Sequence, residues 1–200
     1  MANATQSDER PPKRARALSG FEEGAPAVRS TKYWLDDGNV ILQVESTQFR
    51  LNKSTLSFYS PVFRDMFSLP LPPDEPLVEN CPVVVLAGDR SEDWLYLLEV
   101  MFPPEYRPDK KPTITELAAV LRLSQKYDIA NFRRGCLRRL NGEFPTSLTE
   151  FDKVFGDWTF MDPGNDDSIS MFSQVINLAR EIRLSSILPA AFYLLVHREV

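Results

Sequence analysis

The chain has 200 residues, of which 43% are hydrophobic, so it can bury the core of one domain with an appendage or of two small domains. A formal net charge of −5 and a pI of about 5.0 argue against binding of nucleic acid by the chain as a whole. No uninterrupted apolar run is long enough to span a membrane, and the N-terminus lacks the apolar core of a secretory signal. We therefore expect a protein of the cytoplasm, the nucleus or both, and not a secreted one.

Residues 1–31 are polar and carry Pro, Gly, Ser and charge without periodicity. Such a segment cannot bury enough surface to offset the entropy of ordering, so we predict a disordered tail. Within it, Lys13, Arg14 and Arg16 follow two prolines and are typical of a short nuclear-import signal. A solvated basic tail is the alternative, because tetrapeptides of this kind often occur by chance.

Two alternating apolar runs predict a β-hairpin with one buried face. Val40, Leu42 and Val44 share one side of the first strand, and Phe49 and Leu51 continue the alternation on the second. The opposite side of the sheet is assigned the polar residues Gln43, Glu45, Gln48, Arg50 and Asn52.

Two short helices are predicted directly after the hairpin. The first begins near Ser54, and the second begins at Ser60-Pro61, where a capping hydroxyl precedes a proline at the first helical position. Residues 69–76 are proline-rich and are expected to form a loop. The next apolar run, residues 83–86, is typical of a buried strand.

Five further helices are predicted towards the C-terminus. One follows a capping-type pair formed by Asp89 and Glu92, and the next follows the capping box of Thr113 and Glu116. A third covers about residues 131–141 with Gly142 as its stop. After a stretch at 143–167 that favours loops or short helices, two more helical runs cover about 169–182 and 185–196.

Catalytic and metal-binding groups are scarce in this sequence. The two cysteines, Cys81 and Cys136, have no metal-ligand spacing and are interpreted as small hydrophobic residues, and His197 is the single histidine. No phosphate-binding, nucleophile-elbow or zinc-protease motif is present. We therefore predict no enzyme activity and no cofactor.

Two acidic pairs and one basic cluster have ordinary interpretations. The pairs at 36–37 and 166–167 lack the alternating spacing of a calcium loop and are interpreted as solvated or capping carboxylates. Four arginines on the predicted helix 131–141 could contact nucleic acid, but interleaved aromatic residues are missing. A solvated helix face is the favoured interpretation.

The order of elements, a hairpin and a third strand covered by a helix cluster, predicts an α+β fold with a helical appendage. About residues 33–142 resemble the BTB/POZ domain, and most closely its fungal group. The residues that carry the resemblance are Asp37, Val40, Leu42, Val44, Phe49, Lys53, Leu56, Ser60, Pro61, Phe63, Met66 and Phe67. The family usually has His-Lys where this chain has Asn52-Lys53, and we expect the turn into the helix to survive this change.

The resemblance implies a module for binding proteins, with a BTB/POZ-like domain over 32–142 and a helical C-terminal extension over 143–200. It implies self-association as a homodimer or scaffolding of other proteins, and a narrower role as substrate adaptor for a cullin-type ubiquitin ligase. A nuclear transcription-regulatory cofactor is the alternative. No direct contact with nucleic acid or membrane is expected.

Two sets of residues are candidate partner contacts. Leu77 and Glu79 match the hydrophobic-x-Glu triplet that cullin-recruiting members of the family place in a comparable loop. Tyr33, Trp34 and Phe58 are candidate exposed anchors, since aromatic side chains are enriched at interfaces. Chance for the triplet, and burial in the domain's own core for the aromatics, are the alternatives.

Overall fold

A computed structural model describes residues 26–70, 77–103, 105, 110–164 and 168–197. The predicted import signal at Lys13, Arg14 and Arg16, most of the proline-rich loop and the acidic pair at 166–167 lie outside these residues. Within them the chain forms the following elements: β1 (Val28–Trp34), β2 (Val40–Val44), β3 (Thr47–Leu51), α1 (Lys53–Tyr59), α2 (Pro61–Ser68), β4 (Leu77–Val78), β5 (Cys81–Val85), α3 (Ser91–Met101), α4 (Ile114–Lys126), α5 (Ala130–Glu143), α6 (Leu148–Val154), α7 (Ser168–Glu181) and, after a 3₁₀ turn (Ser185–Ile187), α8 (Leu188–His197).

The predicted hairpin forms the centre of a mixed sheet, whose order over the described strands is β1-β3-β2-β5-β4. β2 and β3 are antiparallel, with Val40 opposite Leu51 and Leu42 opposite Phe49. β5 runs parallel to β2, and its outer neighbour β4 is antiparallel to it. The hairpin is therefore confirmed, but the prediction of a single buried face is wrong, because Ile41 and Gln48 are buried on the opposite face. The strand predicted at 83–86 begins two residues earlier, at Cys81.

Strand β1 corrects the prediction of a disordered tail over 1–31, because the strand already begins at Val28. It pairs in parallel with β3, and the register shifts between Arg29 and Trp34. Since β1 lies at the edge of the sheet and carries mostly exposed polar side chains, it lacks the apolar alternation that identifies a strand in a sequence. Ser30 and Tyr33 are its buried residues, three positions apart instead of two.

One face of the sheet packs against α1 to α4 and forms the first core. Trp94, Leu97 and Leu98 of α3 meet Phe63 of α2 and the buried face of the hairpin. Phe63 stacks on Tyr127 with ring centroids 4.7 Å apart. Burial of each of these large apolar side chains contributes about 1.5–3 kcal/mol of transfer free energy.

A second core joins α4 and α5 to the helices of the C-terminal extension. Leu117 and Leu121 of α4 and Leu140 of α5 share this core with α7 and α8, whose buried members include Phe172 and Leu194. The predicted extension thus packs on the helices before it instead of standing apart. The prediction of short helices between 143 and 167 is met by α6.

Glu143 fastens the segment between α6 and α7 to the end of α5. Its carboxylate is buried and accepts hydrogen bonds from the backbone N–H groups of Thr159, Phe160 and Met161, at 3.2, 2.6 and 3.0 Å. Gly142, predicted as a helix stop, lies one residue before the helix ends, and the Phe160 ring occupies the space where a Cβ would stand. The close approach of this ring requires glycine at position 142.

Asp89 does not cap α3 with Glu92, so that prediction is wrong. Its carboxylate instead accepts hydrogen bonds from Trp94 Nε1 at 2.9 Å, Lys126 Nζ at 2.5 Å and the Tyr127 hydroxyl at 2.5 Å. The start of α3 is capped from the β2–β3 turn, where Glu45 accepts from the Ser91 backbone N–H and hydroxyl. These two hydrogen bonds lower the pKa of Glu45.

The predicted caps at Ser60 and Thr113 are confirmed. The Ser60 hydroxyl accepts from the Phe63 N–H and donates to the Tyr127 carbonyl, so it also joins α2 to the end of α4. Thr113 and Glu116 form both hydrogen bonds of a capping box. The turn into α1 survives as expected, although Asn52 bonds to Asp37 and does not cap the helix.

Replacing Tyr127 by Phe tests the buried Asp89 network. Removing one hydrogen bond to a charged group is expected to lower the free energy of unfolding by about 1.5–3 kcal/mol, measured by urea denaturation at pH 7. Tyr193→Phe, which alters an exposed tyrosine, is the matched control and should change stability little.

The difference between wild type and Tyr127→Phe should also depend on pH. Burial, with the hydrogen bond to Asp89 and its charge, raises the pKa of Tyr127 above the ordinary value of 10.0. The unfolded tyrosine therefore ionises first, and the stability that Tyr127 contributes below pH 10 is lost as pH rises above it. A difference that stayed constant up to pH 11 would contradict this account of the network.

Candidate protein-binding surfaces

The first candidate surface, termed the α1 surface, consists of Phe58 on α1 and Val62 on α2. Phe58 is 81% exposed and packs edge-on against Tyr59 at 5.2 Å between ring centroids. It points outward because Leu56, two positions earlier on the same helix, takes the place in the core. The prediction that Phe58 is exposed is confirmed.

The two other predicted aromatic anchors lie at the end of β1 and differ from each other. Tyr33 is 3% exposed and belongs to the first core, where it contacts Phe102. The prediction of an exposed Tyr33 is therefore wrong, because the register shift in β1 turns this ring inward. Trp34 is half-buried, and the Arg29 guanidinium lies 4.6 Å from its ring centroid.

Leu77 and Glu79 lie on β4 and on the turn that leads into β5. Leu77 is exposed, whereas the Glu79 carboxylate forms ion pairs with Arg29 at 2.6 Å and Arg50 at 3.2 Å. Glu79 and Asn80 both have positive φ angles, so the turn is tight. A partner that used Glu79 would have to compete with these two arginines.

A groove between α3, the start of α4 and α5 was not predicted from the sequence. We call it the α3–α5 groove; its volume is about 250 Å³, and Val100, Phe132 and Cys136 provide apolar surface. Gly135 lies in its wall, and an added Cβ there would meet no atom within 4 Å. Glycine inside a helix costs about 1 kcal/mol relative to alanine, and here the missing methyl group widens the groove.

Ion pairs line one side of the α3–α5 groove. Lys110 bridges Glu99 and Glu116 at 3.3 and 3.2 Å, and Lys32 also reaches Glu99. Although burial acts to raise it, the pKa of Glu99 is lowered by the hydrogen bonds and charges of these two lysines. On the opposite wall, burial raises the pKa of the Cys136 thiol to about 11. This thiol is protonated at neutral pH and is an apolar contact, as the sequence predicts.

A row of aromatic rings connects the α1 surface to the α3–α5 groove. Phe58 contacts Tyr59, and Tyr59 stacks on Phe132 at 5.1 Å between centroids. Phe132 in turn lines the groove. Two surfaces contributed by distant parts of the sequence are thus linked through three contiguous side chains.

The arginine cluster on α5 is divided between solvent and the protein. Arg134 and Arg138 are exposed, Arg133 lies 3.7 Å from Asp128, and Arg139 donates to the Phe160 carbonyl. Its members therefore do not point to one common site.

A protein-family model of the BTB/POZ domain matches residues 34–143, more than half of the chain. The chain belongs to the BTB/POZ family. Domains of this family are protein–protein interaction modules, and the small mixed sheet with its helix cluster is the BTB/POZ fold. A search of curated proteins gave no match. That the chain belongs to the fungal group of BTB/POZ proteins stays a prediction.

Among the residues that the structure describes, His, Cys, Asp and Glu side chains do not form a group of three or more that could hold a metal ion. None of the helices described is both long and apolar enough to cross a bilayer.

No single motif in the amino-acid sequence indicates the α3–α5 groove. It is built from residues more than 30 positions apart, Tyr96 to Arg139, and each alone fits an ordinary helix pattern. Only the unbroken helical pattern around Gly135 contained a usable hint, because glycine is unfavourable inside a helix.

Proposed function

We propose that this BTB/POZ chain is a non-enzymatic interaction module that self-associates through the α1 surface. The observation that carries the proposal is Phe58, an aromatic side chain left 81% exposed on a short helix that the core holds in place. Aromatic side chains of this kind are typical anchors of protein interfaces. Val62, on the neighbouring helix, adds exposed apolar area.

Phe58→Asp should convert a dimer into a monomer, because a buried unpaired carboxylate at the interface costs several kcal/mol. Light scattering after size exclusion, at several protein concentrations, measures the mass. Ile169→Asp places the same charge on an exposed apolar position of α7 and should leave the mass unchanged. A wild-type chain that is strictly monomeric at high concentration would contradict the proposal.

A narrower proposal is that the module is a substrate adaptor for a cullin-type ubiquitin ligase. Two places on the chain suit such a scaffold. One is the pair Leu77 and Glu79, an apolar side chain with a carboxylate beside it. The other is the α3–α5 groove, whose apolar wall could accept a partner helix.

Calorimetric titration with the N-terminal part of a cullin-type scaffold separates these two places. Leu77→Ala together with Glu79→Ala should weaken binding at least tenfold if the triplet is the contact. Val100→Glu should weaken binding at least tenfold if the α3–α5 groove is the contact. Unchanged affinity in both variants would rule out both places as the contact, and a wild-type chain that does not bind the scaffold would contradict the adaptor role. Ile169→Asp again serves as the surface control.

The alternative proposal is a nuclear transcription-regulatory cofactor that uses the BTB/POZ domain for dimerisation. It depends on Lys13, Arg14 and Arg16, which lie outside the described residues. Replacing all three by alanine should shift a fluorescently tagged chain from the nucleus to the cytoplasm. An unaltered distribution would leave the basic run without this role.

A further inference from the structure

A cleft between α6 and α8 lies outside the stretch that the BTB/POZ model matches. We call it the α6–α8 cleft; it has a volume of about 360 Å³. Leu148 and Phe155 form one wall, and Pro189 and Tyr193 form the other. It is separate from the α1 surface and from the α3–α5 groove, with which it shares no lining residue.

Large apolar side chains around this cleft are unusually exposed. Leu148 is 74% exposed, Phe155 is 53% exposed and Tyr193 is 47% exposed. Single exposed apolar residues are normal on a protein surface, but several around one concave site mark an interaction surface. The helical extension therefore leaves apolar area here that its own core does not cover.

The rings of the cleft are fixed in position, which favours binding. Phe151 packs at the edge of the second core and meets Tyr193 edge-on, with centroids 5.5 Å apart. The ring centroids of Phe155 and His197 lie 6.4 and 4.1 Å from that of Tyr193. Because these rings already contact one another, little side-chain freedom remains to be lost when a partner binds.

Asp152 supplies the only charge among the residues that line the cleft. Its carboxylate is exposed and has no hydrogen bond or ion pair with the residues that the structure describes. The adjacent cation, Lys153, is already paired with Glu150 at 2.7 Å. A partner that brought a positive charge next to an apolar side chain would match this arrangement in both respects.

We infer that the α6–α8 cleft binds a peptide segment of a partner protein in which a large apolar side chain stands beside an arginine or lysine. The apolar side chain would lie between Leu148 and Tyr193, and the cation would pair with Asp152. This site would let the module hold one partner on its extension while the BTB/POZ domain associates through other surfaces. It is independent of the proposed function, because it uses none of the same residues.

Selection of random seven-residue peptides displayed on phage, with the immobilised full chain as target, tests this inference. Enriched peptides should combine a large apolar residue with a neighbouring Arg or Lys. Leu148→Ser should lower their enrichment at least tenfold, because it removes the apolar wall. Asp152→Lys should reverse the preference from basic to acidic peptides. Ile169→Ser, at an exposed apolar position of α7 that does not line the cleft, is the control and should keep both the enrichment and the basic preference.

Three outcomes would overturn the inference: no enrichment above background, enriched peptides without a basic preference, or equal enrichment on Leu148→Ser. A fourth would assign the cleft to contact between copies of the chain. In that case, Leu148→Ser would abolish self-association in light scattering while Phe58→Asp would not. Thermal unfolding of each variant checks that the fold is intact. We expect an unchanged melting temperature, because Leu148 and Asp152 are both exposed.

Discussion

Helix α4 contributes buried residues to both cores of the molecule, and both cores depend on it. Val120 and Leu123 pack into the first core, whereas Leu117 and Leu121 pack into the second. Thr115, Gln125 and Lys126 are exposed, so solvent reaches one face of the helix while the rest of its surface is enclosed by neighbours. The sheet domain and the helical extension therefore stabilise each other through one shared helix.

Local signals in the sequence predicted the elements whose ends are fixed by near neighbours. Ser60 and Thr113 cap helices through hydrogen bonds that span three residues, and the hairpin follows from alternation over two short runs. Such signals can be recognised in a sequence because the residues that form each contact lie only a few positions apart. The α+β order and the family resemblance followed from these elements.

Long-range contacts account for what the sequence did not reveal. Glu45 caps a helix that begins 46 positions later, and Asp89 binds a side chain 38 positions away. An acidic residue in a turn looks the same in sequence whether it is solvated or buried against such partners. Strand β1 is a similar case, because pairing with β3 and not its own composition makes it a strand. The same pairing determines that Tyr33 is buried, which its neighbours in the sequence do not indicate.

Local signals and long-range contacts also explain which candidate surfaces could be predicted from the sequence. Phe58 could be identified as exposed because Leu56 already fills the inward position of its short helix. The groove and the cleft could not be identified, because each is a concave space between elements and no single residue defines it. Glu79, a predicted partner contact, forms ion pairs with Arg29 of β1 and Arg50 of β3 that its sequence neighbours do not suggest.

The buried carboxylate of Glu143 has a consequence for how this chain can vary. By holding Thr159, Phe160 and Met161 against the end of α5, it pins both ends of residues 145–157 independently of what lies between them. Doubling the length of a closed loop costs only about 0.6 kcal/mol of chain entropy. Apart from Phe151, which packs at the edge of the second core, this stretch is therefore an insertion site. Segments of other length and recognition chemistry could be exchanged there while both cores stay folded.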